Sequence, residues 1–239
     1  MEKPRAAMIL SAGLGLRMRP LTLTCPKPLI EINGKALLGY NLDQVETFGL
    51  DTIIVNIHHL GDQIRVYCQK RAGQKIIISD ESDALLDSGG GIKKALPLLG
   101  VEPFFVLNAD SFFIDGPRSN LARMSDTFDP EIMDCLLLVA SGGQVTGYDG
   151  LGDFIMDQTS RLTRRPERQV APFVYTGVAL INPALFTAMP TGAFSLNRVF
   201  DRAQAAHRLF GLRLDGEWLH VGTPEAIEAA ETRLQRGIY

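Results

Sequence analysis

A short apolar run, Ala6–Leu10, gives way to Ser11-Ala12-Gly13-Leu14-Gly15, and no other feature of this chain limits its fold so tightly. A buried strand that ends in a glycine turn is typical of open α/β sheets, in which ligands meet the carboxyl ends of the strands. Glycines let backbone N–H groups come close to a phosphate. Arg17 follows the turn, and Lys27 stands between Pro26 and Pro28. A guanidinium that is always charged and an ammonium on a stiffened backbone can together neutralise a polyphosphate. The segment is therefore expected to hold a nucleoside triphosphate.

Two other phosphate loops do not fit. A dinucleotide turn, G-x-G-x-x-G, needs a third glycine where Met18 stands, and G-x-x-x-x-G-K-[ST] is absent. Further along, strand and helix patterns alternate. Ala36–Phe48 reads as a helix, and Thr52–Ile57 as a β-branched strand covered on both faces. Leu60–Arg71 reads as a helix, Lys75–Ile78 as a strand, Gly91–Leu98 as a short helix and Pro103–Leu107 as a buried strand. This order predicts a mostly parallel central sheet flanked by helices, with right-handed crossovers. The glycine turn and Asn108-Ala109-Asp110 then fall at the ligand-binding edge.

The second half is less regular. Asp134–Ala140 reads as a strand, Ser141–Gly152 as a glycine-rich loop, and Phe154–Met156 with Leu162–Arg164 as a hairpin. Phe173–Ile181 is a β-rich run broken at Gly177. Ser195–Ala206 reads as a helix and Leu209–Leu214 as a strand. Thr223–Arg236 is an amphipathic helix with Thr223 as its cap and Pro224 at its first position.

Composition narrows the function classes. The 239 residues suit one large α/β domain, and the net charge of −3 leaves no basic stripe for nucleic acid. Cys25, Cys68 and Cys135 are far apart, which suits reduced thiols better than a disulfide frame or a zinc site. No apolar run reaches the length of a membrane span, and the start lacks the core of a signal peptide, so a cytoplasmic location is expected.

The opening segment resembles the signature of the sugar nucleotidyltransferases (NDP-sugar pyrophosphorylases), L-x-A-G-x-G-x-R-M-x-P-L-T followed by P-K-P. Leu10, Ala12, Gly13, Gly15, Arg17, Met18, Pro20, Leu21, Thr22, Pro26, Lys27 and Pro28 carry the match. The resemblance runs from Ala6 through Glu231 and is nearest to short, single-domain uridylyltransferases acting on N-acetylmuramate 1-phosphate, with a place in peptidoglycan recycling. It implies a Rossmann-like nucleotidyltransferase fold over 1–239, with a nucleotide-binding half at about 1–115 and a sugar-binding half at about 116–239. It also implies Mg²⁺ as cofactor, a nucleoside triphosphate and a sugar 1-phosphate as substrates, and a monomer or small homo-oligomer with no nucleic-acid or membrane partner.

Site residues follow one at a time. Arg17, Lys27 and Asp110 are the expected catalytic set. Asp110, after the strand, is either a turn-forming aspartate or a Mg²⁺ ligand against the α-phosphate, and the resemblance favours the metal. Leu10, Ala12, Gly13, Gly15 and Asn108 line the expected nucleotide loop. Asp87, Ser88, Gly89 and Gly90 are expected to read the base, an acidic acceptor taking a ring N–H and glycine N–H groups meeting a carbonyl. Asp87 and Ser88 depart mildly from the usual Glu and Thr, and the segment could instead be a loop that caps the helix at Ile92. Tyr175-Thr176-Gly177 resembles a Y-[ST]-G whose glycine touches the sugar, or is a strand bulge.

Two departures stand out. The family's Glu-Lys-Pro is replaced by Arg164-Arg165-Pro166, in which Arg165 could serve as the phosphate cation. Its W-x-D-V-G-T-P, which supplies a second metal carboxylate, reads Trp218-Leu219-His220-Val221-Gly222-Thr223-Pro224 here. Imidazole is a poor ligand for a hard cation, so His220 is a second metal candidate, a contact through water or a phosphate contact. His58, His59 and His207 are expected to be structural or superficial. The resemblance implies attack of a sugar-1-phosphate oxygen on the α-phosphorus. The alternatives are a mannose or glucose 1-phosphate enzyme using GTP or dTTP, a cytidylyltransferase for a phosphorylated amino-alcohol, and a non-catalytic nucleotide-sugar sensor.

Overall fold

The continuous apolar runs of the first half become strands buried on both faces. The computed structural model of the chain describes residues 3–71 and 76–236, so Lys75 of the expected strand Lys75–Ile78 lies outside the described residues. In chain order the elements are β1 (Ala6–Leu10), β2 (Glu31–Ile32), β3 (Lys35–Ala36), α1 (Leu37–Phe48), β4 (Thr52–Ile57), α2 (Gly61–Gln69), β5 (Ile76–Asp80), α3 (Asp87–Leu99), β6 (Phe104–Asn108) and β7 (Ser111–Asp115). There follow α4 (Asn120–Thr127), β8 (Cys135–Ser141), β9 (Val145–Thr146), β10 (Phe154–Met156), β11 (Leu162–Arg164) and β12 (Phe173–Ile181). The last are α5 (Asn197–Ala205), β13 (Leu209–Arg213), β14 (Gly216–His220) and α6 (Glu225–Gln235).

A nine-stranded sheet runs β11-β10-β12-β6-β1-β4-β5, with β8 on β12 and β13 on β8. β6, β1, β4 and β5 are parallel, and β12 joins β6 antiparallel. This is a Rossmann-like α/β sheet flanked by helices. Alternation sorts its side chains into two layers. Ala7, Ile9, Val55, Phe105 and Leu107 pack with Leu38, Leu42 and Ile64 on one face. Ala6, Met8, Ile54, Phe104 and Val106 pack with Ile92, Ala95 and Phe200 on the other. α1 stops at Gly49, whose φ of 85° suits a glycine, its N–H donating to the Val45 and Glu46 carbonyls.

From β1 the chain moves outward through β4 and β5, then returns through α3 to β6 on the other side of β1. β1 and β6 therefore flank the point where the strand order reverses, which opens a crevice at their carboxyl ends. Leu10 pairs with Asn108, and the Ala109 N–H donates to the Leu10 carbonyl at 3.0 Å. A separate three-stranded sheet, β7-β14-β9, covers one side of the crevice.

Three expectations are corrected. The helix expected at Gly91–Leu98 begins at Asp87, so Asp87–Gly90 form its first turn rather than a loop. The glycines allow that turn to press against its surroundings. A Cβ at Gly90 would lie 2.3 Å from the Gly192 carbonyl oxygen. β7 and β14 are strands that local patterning leaves unassigned, each completed by the other across the chain. The cap of the last helix shifts by one residue: Pro224 flanks it, Glu225 opens it, and the Thr223 carbonyl accepts from the Ala226 N–H.

A third apolar cluster joins Met18 of the opening segment to Ile30, Ile32, Leu37, Phe112, Leu219, Val221 and Ala230. Met18 is fully buried there, and it fixes the loop whose neighbours Arg17 and Arg19 are exposed. Cys25, Cys68 and Cys135 are free. Among the described residues no helix is long and apolar enough to cross a membrane. Met18→Ala should cost about 2–5 kcal/mol of stability in urea denaturation, the usual range for emptying such a site. An unchanged urea midpoint would show that the loop does not depend on this anchor.

Candidate active site

The segment after β1 keeps its shape through short backbone bonds. Gly15 takes a φ of 62°, and its carbonyl accepts from the Met18 N–H and the Thr22 hydroxyl, both at 2.9 Å. A Cβ on Gly15 would come within 2.8 Å of Thr22 Cγ2, so packing itself demands glycine there. Gly13 differs: nothing stands within 4 Å of the position its Cβ would occupy. Its missing side chain leaves an open cradle, as a phosphate-binding turn requires.

Lys27 sits in a 3₁₀ turn, Lys27–Leu29, entered from Pro26. Its side chain is nearly buried, and Nζ lies 3.0 Å from Asp110 Oδ2. Burial alone would raise the Asp110 carboxyl, but the Lys27 ammonium, with the charges of His220 and Arg17, outweighs it and holds the pKa below the usual carboxylate value. His220 pairs with Ser111 across β7 and β14, while the Val221 N–H donates to the Asp110 carbonyl. Burial lowers the pKa of the His220 imidazole against the pull of Asp110, and buried Nδ1 has no hydrogen-bond partner in the protein. The ring stacks on Trp218, with centroids 5.3 Å apart, and Tyr148 meets its edge.

A cleft of about 740 Å³ runs from the Leu10–Met18 segment past Lys27 and Asn108–Asp110 to a far wall of Asn56, Glu81, Leu85, Asp87 and Ser88, with Ala193 and Gly222 at its sides. The structure thus brings together Leu10, Ala12, Gly13, Gly15, Arg17, Lys27, Asn108, Asp110, Asp87 and Ser88, residues singled out from sequence. It does not present the N–H groups of Gly89 and Gly90 to the cleft. Both donate to the Phe194 carbonyl, at 2.9 and 3.1 Å, and the Ser88 hydroxyl accepts from the Leu196 N–H.

The expected sugar residues lie outside the cleft wall. Arg165 donates to the carbonyls of Gly152, Pro166 and Gln169, so its guanidinium pins its own loop. Arg164 pairs with Asp201. Tyr175 sets its ring edge-on to Phe200 and buries its hydroxyl without a partner. Thr176 is buried, its hydroxyl donating to the Leu138 carbonyl. Gly177 bulges with a φ of 86°, and a Cβ there would stand 2.9 Å from Asn108 Cβ, so this glycine lets β12 close against the cleft wall. The expected structural role of two histidines holds: a His58 ring nitrogen bonds the Glu81 carbonyl and a His59 ring nitrogen the Thr22 carbonyl. His207 is exposed.

Sequence reasoning missed Glu81 and Asn56. Glu81 is 1% exposed; Oε1 accepts from Asn56 Nδ2 at 2.8 Å, and Oε2 has no partner in the protein. Burial raises its pKa, opposed by the Asn56 hydrogen bond and by the nearby Leu86 N–H, Lys94 and His58, none of which completes a hydrogen bond to Oε2. A carboxylate directly after a β-branched strand was the available signal. Because the folded-state pKa is raised, Glu81 contributes stability that is present below the unfolded value of 4.5 and lost as pH rises through the folded one. Glu81→Gln should therefore become more stable relative to the parent as pH rises from about 4 to 8. Parallel urea curves whose spacing does not change with pH would show that Glu81 is not desolvated.

With this geometry in view, comparison places the chain among known proteins. The domain described as MobA-like NTP transferase matches residues 7–213. The chain is 39% identical over 237 residues to an N-acetylmuramate alpha-1-phosphate uridylyltransferase of Caulobacter vibrioides, covering 98% of each. It is 34% identical to one of Neisseria meningitidis, covering 94% of this chain and 96% of the relative. Among solved structures, the inositol-1-phosphate CTP transferase from T. maritima superposes with a TM-score of 0.78 at 17% identity, over 100% of this chain and 99% of that one. A UDP-glucose pyrophosphorylase complexed with UDP-glucose gives 0.79 at 17% identity, over 97% and 99%. These two likenesses concern the fold.

Proposed function

We propose, for a chain that belongs to the MobA-like NTP transferase family and within it to the sugar nucleotidyltransferases, transfer of a uridylyl group from UTP to N-acetylmuramate 1-phosphate with release of pyrophosphate. The observation that carries the reading is one continuous cleft that joins the Gly13–Gly15 turn, Lys27 and Asp110 to a wall with an unpartnered buried acceptor, Glu81 Oε2. Uracil, thymine and guanine offer a ring N–H to such an acceptor, whereas cytosine and adenine do not. The names of the relatives favour uridine among these. Residues at about 1–115 bind the nucleotide, with Ala193 and Gly222 completing the wall, and those at about 116–239 bind the sugar.

In the reaction, an oxygen of the sugar's phosphate forms a bond to the α-phosphorus. The bond from that phosphorus to the oxygen bridging the β-phosphate breaks, and its electron pair leaves with pyrophosphate. The attacking phosphate has a second pKa of about 6 and is largely ionised at neutral pH, so no general base is needed. The cleft accordingly supports catalysis through placement and charge: Arg17 and Lys27 face the phosphates, and Gly13 makes room for them.

Among the described residues no three His, Cys, Asp or Glu side chains converge on a metal position. The reading rests on Asp110 in the cleft, since Mg²⁺ accepts one or two carboxylates and completes its shell with phosphate oxygens and water. Asp110 would hold the ion, with the unpartnered His220 imidazole close by, and the ion when bound would supply positive charge at the α-phosphate. Lys27 keeps Asp110 ionised and oriented until then. We place the enzyme, as a monomer or small homo-oligomer, in the cytoplasm, where free thiols persist.

The test is pyrophosphate release over a matrix of nucleoside triphosphates and sugar 1-phosphates. UTP with N-acetylmuramate 1-phosphate should give the highest kcat/KM. A chain that binds UTP but releases no pyrophosphate with any pair would be a sensor rather than an enzyme. Lys27→Ala should lower kcat by roughly 100-fold or more, since one preorganised charge is worth about 3–4 kcal/mol in comparable sites. Asp110→Asn should abolish turnover, while His220→Ala should keep an appreciable part of it. Equal loss in the two variants would make the imidazole a metal or phosphate contact.

A further inference from the structure

Asn56 is the last residue but one of β4 and is 3% exposed, yet its amide is used at both ends. Oδ1 accepts from the Ser11 N–H at 2.7 Å, and Nδ2 donates to Glu81 Oε1 at 2.8 Å. The Asn56 carbonyl also accepts from the Ser11 hydroxyl at 2.6 Å. A single amide thus ties the first residue after β1, on the phosphate side, to the carboxylate on the base side. Its orientation is forced, because the Ser11 backbone N–H can only donate and so takes Oδ1, which leaves Nδ2 for Glu81. Gly91 closes the arrangement from below: a Cβ there would lie 2.6 Å from Glu81 Oε1.

We propose that Asn56 is a specificity-determining positioning residue, which sets base preference by dictating which atom residue 81 turns toward the cleft. The inference rests on the reading that the cleft holds a nucleoside triphosphate with its base at Glu81. Because the Asn56 donor engages Oε1, the atom left for the base is an acceptor, Oε2, matched to a ring N–H. Residue 56 acts through residue 81 and does not itself touch the nucleotide.

Exchange of the two functional groups gives a sharp test. In Glu81→Gln, Asn56 Nδ2 still demands an acceptor, so the glutamine carbonyl turns to Asn56 and its NH₂ faces the cleft. That donor opposes the N3–H of uracil and suits the bare N3 of cytosine. In the double variant Asn56→Asp with Glu81→Gln, the aspartate accepts instead, the glutamine NH₂ turns away from the cleft, and its carbonyl faces the base again. The double variant keeps one carboxylate and one amide, as the parent has. Ser11 keeps its acceptor.

The experiment is calorimetric binding of UTP and CTP with Mg²⁺, without acceptor sugar, on the full chain and both variants. Glu81→Gln should lower the UTP-to-CTP affinity ratio by about tenfold or more, and the double variant should recover most of that loss, a coupling of ordinary size for two side chains in contact. Similar ratios in the two variants would overturn the proposal, because a purely structural Asn56 would not redirect base preference. If the double variant fails to fold, Glu81→Gln decides alone, and an unchanged ratio sinks the idea. A parent chain that binds UTP in preference to CTP but makes no product would instead remove the proposed reaction and leave this inference standing.

Discussion

The Ala109 N–H on the Leu10 carbonyl closes the last rung between β1 and β6, and everything that follows depends on the two strands parting there. Parallel neighbours normally send their chains the same way around the sheet. Here one continues outward to β4 and β5 and the other inward to β12, so neither loop covers the strand ends. The gap is filled from one side by a turn rich in N–H groups and from the other by a carboxylate. Sheet topology, rather than any local strength of the loops, brings Lys27 and Asp110 within 3.0 Å of each other.

That ion pair is partly buried, and a buried charge costs stability unless it is balanced. Each partner neutralises the other, so the cleft can carry a lysine and a carboxylate in the same small volume. A triphosphate that enters meets a lysine already fixed in place by its prolines and its partner. The far wall follows a different logic. Glu81 has one oxygen balanced by Asn56 and one left without a partner in the protein, which makes the wall discriminating toward the group that faces it.

What could be read in the sequence divides along physical lines. The Leu10–Pro28 segment was legible because its glycines, cations and prolines act within a few residues of one another. Asp110 was reachable because a buried strand announces its own end. β7 and β14 were not legible, since each is completed only by pairing across the chain. Nor were the fates of Arg165 and of the Gly89 and Gly90 N–H groups. Those depend on backbone carbonyls at Gly152, Pro166, Gln169 and Phe194, which leave no trace in side-chain identity. Asn56 looked like one more polar residue at a strand end, and its meaning appears only when Ser11 and Glu81 stand on either side of it.

The cluster around Met18 has a consequence for how the chain is made. Its members are Met18, Ile30, Ile32 and Leu37 near the start, Phe112 in the middle, and Leu219, Val221 and Ala230 far along the chain. On the ribosome, β1 and β4 can pair before Phe112, Leu219, Val221 and Ala230 have been added to the packing around Met18. That packing is complete only once Leu219, Val221 and Ala230 have joined it. Removal of that later stretch would leave the parallel strands of the main sheet paired and take away part of the packing that holds Met18.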